Sequence, residues 1–136
     1  MCRALLVSLL FLVLAGCQTP PEQVPLKPLP EGGPPEGFSD LVKRARVQAG
    51  AANEAFYINK WSDLEDAAKG LDQTARFLTK ATGVPNRHRD TLAVEAGDLE
   101  KEATKLREAA LAQDERRATD ALQRIQLMVR QLRAED

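Results

Sequence analysis

One histidine and two cysteines are all that 136 residues offer for imidazole or thiol chemistry. His88 stands in Asn86-Arg87-His88-Arg89-Asp90, where the flanking arginines oppose a bound cation. A metal or haem site needs further ligands at matched spacing, and this segment supplies none. Arg87, His88 and Arg89 form a candidate anion-binding cluster, with a solvated loop as the plainer reading. Glu95, Asp98 and Glu102 share a helical face at spacings of three and four, beside Lys101 and Lys105. A di-iron bundle would require Glu-x-x-His pairs projecting inward, and the residue three before His88 is Pro85. These acids therefore predict a solvated, salt-laced face. Ser39 and Ser62 read as helix caps, and no histidine pairs with a hydroxyl to activate it. The inventory predicts no enzyme, no metal and no cofactor.

Cys17 has a different context. It follows Leu14-Ala15-Gly16 at the end of an apolar run, Ala4 to Ala15, that begins after Arg3. The run is too short to span a bilayer and has the layout of an export signal. Leu14-Ala15-Gly16-Cys17 resembles the lipobox of bacterial lipoproteins. That resemblance implies a signal peptide over residues 1–16, cleavage before Cys17, and acylation of Cys17 as the new N-terminus. Each acyl methylene contributes about 0.8 kcal/mol of membrane affinity, and two or more chains make anchoring stable. Gln18 occupies the place where an aspartate favours inner-membrane retention in enterobacterial lipoproteins, so the resemblance implies the outer membrane. With Cys2 discarded and Cys17 lipidated, no thiol is left for a disulfide.

Residues 17–37 read as a tether. Seven of the eight prolines fall there, with Gly32, Gly33 and Gly37, a composition that excludes helix and sheet and favours an extended chain. Freely extended at about 3.1 Å per residue, it would hold the domain up to about 60 Å from the bilayer. Pro25-Leu26-Lys27-Pro28 fits PxxP, as any such tether will. Signal removal takes Arg3 from the 19 basic side chains and none of the 20 acidic ones, leaving a formal charge of about −2. Nothing in that balance points to nucleic acid.

From Phe38 the pattern becomes heptads, with apolar residues alternating at three and four. Phe38, Val42, Ala45, Ala49, Ala52 and Phe56 make one seam; Trp61, Leu64, Ala68, Leu71, Ala75 and Leu78 make a second. Leu92, Ala96, Leu99, Ala103, Leu106 and Ala110 form the third, and Ala118, Leu122, Ile125, Val129 and Leu132 the fourth. Ser39, the capping box Ser62-Asp63-Leu64-Glu65, Asp90 and Asp114 mark the expected starts, and Gly83-Val84-Pro85 a stop. Links at 58–61 and 112–115 are short enough for antiparallel neighbours. Residues 38–136 are thus expected to be all-α, an antiparallel up-down-up-down four-helix bundle made of two helical hairpins. A shift of 54 residues carries the first hairpin's seam onto the second's, Phe38 onto Leu92 and Leu64 onto Ala118 among others.

The run Ala109-Ala110, Gln113-Asp114 and Asp120-Ala121-Leu122 is similar to the third-to-fourth-helix segment of cytochrome c-prime and its b-type relatives. The last helix of that family carries Cys-x-x-Cys-His, whereas here Leu127-Met128-Val129-Arg130-Gln131-Leu132 has neither cysteine nor histidine. The resemblance implies the bundle and argues against the haem. The alanines of the first seam bring helices close, or else line a cavity for lipid or haem. Tyr57, Ile58, Phe77, Val94 and Leu127 fall off the seams, as candidates for a protein-binding or self-association surface, the last three toward one end. The expected function is a non-catalytic, membrane-anchored envelope lipoprotein acting as an interaction or structural module. The alternative is a bundle that binds haem, lipid or metal.

Overall fold

The computed structural model describes residues 26–133, so Cys17, the signal segment and the first part of the tether lie outside the described residues. Four helices follow in order: α1 Phe38–Tyr57, α2 Trp61–Leu78, α3 Leu92–Ala112 and α4 Glu115–Gln131. Each runs back along its predecessor, and α4 closes on α1, so α1 faces α3 and α2 faces α4 across the diagonals. The four-helix architecture read from the heptads is the observed one. Among the described residues the only β pairing is an isolated parallel bridge between Gly37 and Thr82.

Burial follows the seams. Val42, Ala45, Ala52, Leu64, Ala68, Leu71, Ala75, Leu78, Ala96, Leu99, Ala103, Leu106, Ala118 and Ile125 have no exposed surface. Leu41, Ala55, Ala109 and Ala121 are buried as well, because each helix touches two neighbours and its apolar face is wider than an a/d stripe. Phe56 and Trp61, placed on the seams, are only half-buried at the ends of their helices.

Two of the expected caps are not used. Gly37 and Lys60 precede α1 and α2, and neither helix has a side-chain cap; Ser62 donates instead to Asp63 (3.3 Å). At α1 a tertiary contact replaces the cap, since Phe38 N–H donates to Thr82 O at 2.8 Å. Asp114 does cap α4, its Oδ1 accepting from Arg117 N–H at 3.0 Å. Helix α3 starts at Leu92 rather than Asp90, after a single 3-10 turn at Asn86–His88.

The two hairpin turns are built alike. Asn59 and Gln113, 54 residues apart, both take positive φ, 56° and 51°. Lys60 N–H donates to Ala55 O (2.8 Å) and Asp114 N–H to Ala109 O (2.9 Å); Asn59 N–H to Phe56 O and Gln113 N–H to Ala110 O are both 3.1 Å. The repeat seen in the seams thus extends to the backbone of the turns. Both turns lie at one end of the bundle; Gly37, Thr82, His88 and Leu132 lie at the other.

The tether is not wholly free. Residues 26–37 have no regular structure, yet they lie along α1 and α2 as a strap. Gln73 of α2 holds Leu29 twice, accepting from Leu29 N–H (2.9 Å) and donating to Leu29 O (3.0 Å). Arg44 donates to Lys27 O, Thr82 N–H to Glu36 O (3.0 Å), and Leu29 packs against the core. The prolines deny the strap its own ladder, and helix side chains satisfy its amides instead. The 60 Å standoff expected of a free tether does not apply to a chain held down from Leu26 onward.

Candidate functional site

His88 is not in a solvated loop. The 3-10 turn and the start of α3 fold its ring inward to 5 % exposure, tilted 35° against Phe38 with centroids 5.4 Å apart. Nδ1 lies 3.0 Å from Glu95 Oε2, and Nε2 lies 3.1 Å from Arg87 Nε. An arginine can only donate, so Nε2 accepts and the proton sits on Nδ1, directed at Glu95. Thr91 Oγ1 donates to the other Glu95 oxygen at 2.8 Å, and Arg87 Nη2 donates to Arg133 O at 3.0 Å. A His–Glu pair is the arrangement of a general base, but neither ring nitrogen here is open to a substrate. The cluster ties α4's end, the 3-10 turn, α3 and α1 together. Of the candidate anion cluster, His88 is enclosed and Arg87 is directed at protein acceptors, so the three side chains do not converge on one space.

Glu102 also departs from the solvated acidic face. It is 6 % exposed, with Oε1 at 2.6 Å from Lys105 Nζ and 3.4 Å from Arg124 Nη1, while buried Oε2 has no partner. Glu95 serves His88, and only Asp98, paired with Lys101 at 3.2 Å, behaves as expected. The three acids do not converge, and among the described residues no group of three His, Cys, Asp or Glu side chains could hold a metal.

A second buried polar pair joins α1 to α2: Thr74 Oγ1 donates to Gln48 Oε1 at 2.8 Å. Gly70 makes room for it, since a Cβ there would lie 2.7 Å from Gln48 Nε2. Heptads gave no warning of either residue, because both lie off the seams.

The off-seam apolar residues divide. Phe77 is half-buried against the core, because α2 is flanked by α1 and α3, and Leu127 lies on the diagonally opposite helix. The two do not share a face. Val94 (65 % exposed) and Leu127 (54 %) are open to solvent in the half of the bundle that holds His88. Tyr57 (75 %) and Ile58 (54 %) are exposed at the turn end, where Leu111 (63 %), not anticipated from the sequence, joins them. Phe56 meets Trp61 edge-on at 5.9 Å and Tyr57 at 6.0 Å, so that end carries an aromatic cluster. A groove of about 290 Å³ between strap and α1 is lined by Leu26, Leu29, Leu41 and Val47 with Glu36, Asp40, Lys43 and Arg44.

None of the described helices is long and apolar enough to cross a membrane. Comparison with protein-family models, curated proteins and solved structures found no match for the chain.

Proposed function

We propose that this chain is a non-catalytic lipoprotein of a bacterial cell envelope, anchored through lipid on Cys17, with the outer membrane favoured. Its helical domain works as an interaction or structural module. The observation that carries this reading is Leu14-Ala15-Gly16-Cys17 closing a short apolar run after Arg3. A second consideration agrees with that reading: within the His88 cluster, Arg87 and Glu95 occupy both ring nitrogens and Thr91 is bonded to Glu95, so this histidine is not free to act as a base. Exposed Val94 and Leu127 are the candidate surface for an envelope protein.

Fractionation and mass spectrometry of the expressed full chain test the anchor. The N-terminal peptide is expected to begin at acylated Cys17, and Cys17→Ser is expected to leave the membrane fraction. A membrane-bound Cys17→Ser protein, or an unmodified Cys17 in the wild type, would overturn the reading. In-cell crosslinking tests the interaction role: a reproducible envelope partner is expected, lost in Val94→Asp/Leu127→Asp. Crosslinks unchanged by both substitutions would remove that surface from the proposal.

A further inference from the structure

The strap has a direction. It leaves α1 at Gly37, beside Thr82, passes Gln73 at Leu29 and Arg44 at Lys27, and brings Leu26 to Val47. It therefore travels along α1 toward the hairpin turns. At 1.5 Å per residue, Val47 lies about 15 Å short of Tyr57 along the helix. Residues 18–25 separate Cys17 from Leu26, and at most about 3.5 Å per residue they span about 30 Å, roughly the length of α1. The anchor and the turn end are thus within reach of each other, and the docked chain already heads that way. The two ends differ in chemistry as well. Charge is exposed at both ends, Lys80, Arg87, Arg89 and Asp90 at the strap's origin and Lys60, Glu108, Glu115 and Arg116 at the turns, but the turn end also gathers Tyr57, Ile58 and Leu111 beside half-buried Phe56 and Trp61. Tyrosine and tryptophan with aliphatic neighbours suit the bilayer interface, where one side of the ring is apolar and the other wet.

We infer that the turn end, through Tyr57, Ile58, Leu111 and Trp61, rests on the lipid bilayer that Cys17 enters, so that the strap orients the bundle with Val94 directed away from the membrane. The inference rests on the lipid-anchor reading. Lys60 is 3.8 Å from Asp63, Arg117 is 3.1 Å from Glu108, and exposed Glu115 and Arg116 carry opposite charges, so the contact depends on apolar insertion more than on net charge.

The test uses full-length protein, processed and lipidated, on vesicles of phosphatidylethanolamine and phosphatidylglycerol. Acylated Cys17 is the one cysteine left after cleavage, so Tyr57→Cys, Leu111→Cys and Val94→Cys each take a single nitroxide label. Accessibility is read with a water-soluble nickel chelate against lipid-soluble oxygen. Labels at 57 and 111 are expected to lose several-fold in nickel accessibility on vesicle binding and to gain in oxygen accessibility, with the label at 94 unchanged. Equal accessibility at 57, 111 and 94 on vesicle-bound protein would overturn the orientation while leaving the anchor intact. Protection that arises only in whole envelopes, and not on protein-free vesicles, would assign the end to a protein and overturn the bilayer contact. Absence of acyl mass on Cys17 would overturn the anchor, and the inference with it.

Discussion

At Gly70 a methyl group would meet Gln48, so an ordinarily favourable substitution is expected to reverse sign. Glycine to alanine inside a helix usually stabilises by about 0.5–1 kcal/mol. Here the added Cβ displaces the Gln48 amide and strands the buried Thr74 hydroxyl, which costs about 1–3 kcal/mol. Gly70→Ala should therefore lose about 1 kcal/mol net, while the same change in a Gln48→Ala background should gain. Urea midpoints of the four proteins decide it, and stabilisation in both backgrounds would disprove the coupling. Glu102 offers the converse case. Its buried carboxylate has two cations on one oxygen and nothing on the other, and such ions are often replaced by apolar groups at no loss. Glu102→Leu is expected to match or exceed the wild type by up to about 1 kcal/mol; a large loss of stability would show that the ion pair is needed. Lys69, held by Glu65 first and then Asp66, has its pKa raised. Its small, exposed contribution is present below the unfolded lysine value and fades as pH rises through the folded one.

The helices carry two attachments that the seams do not supply. His88 binds Arg87, and Arg87 holds Arg133 O beyond α4, so His88→Ala is expected to loosen the last turn of α4 before the middle of α2. The cost should be about 2 kcal/mol from lost packing and the lost bond to one Glu95 oxygen. Hydrogen exchange should show the largest rise near Leu132, and a uniform rise would mean that the cluster has no local role. The strap is the second attachment. Gln73→Ala removes both bonds to Leu29 but little of the core, so melting should fall by less than about 1 kcal/mol equivalent. Proteolysis within 26–37 should nevertheless speed up several-fold; an unchanged cleavage rate would mean that Leu29 packing alone holds the strap. The matched turns at Asn59 and Gln113 need no such attachments, because each closes on its own backbone.

For the molecule as a whole, the alanines decide between a dry bundle and a ligand-binding one. Ala45 and Ala52 have no exposed surface. If they bring helices into contact, a larger side chain must strain its neighbours. Ala52→Leu is then expected to destabilise by about 1–3 kcal/mol. A gain in stability would reveal space behind the seam and favour a bundle that holds haem or lipid. The same architecture separates two surfaces along its length: the aromatic turns at one end, exposed Val94 and the His88 cluster at the other. With the chain docked from Leu26, the proposed anchor at Cys17 would hold the domain near the bilayer rather than at the end of a long tether.

The number of helices, their seams, the 54-residue repeat and the Asp114 cap were legible in the sequence, because periodicity and capping are local properties of a helix. The burial of His88 and Glu102, the Gln48–Thr74 pair and the docked strap were not. Each depends on groups brought together by the packing, such as the Leu29 backbone with the Gln73 side chain and Arg87 with the Arg133 carbonyl. A heptad states which side of a helix faces inward on average; it does not state how wide that side becomes between two neighbours. Only the tertiary packing decides that, because burial at the edge of a seam is set by the helix across it.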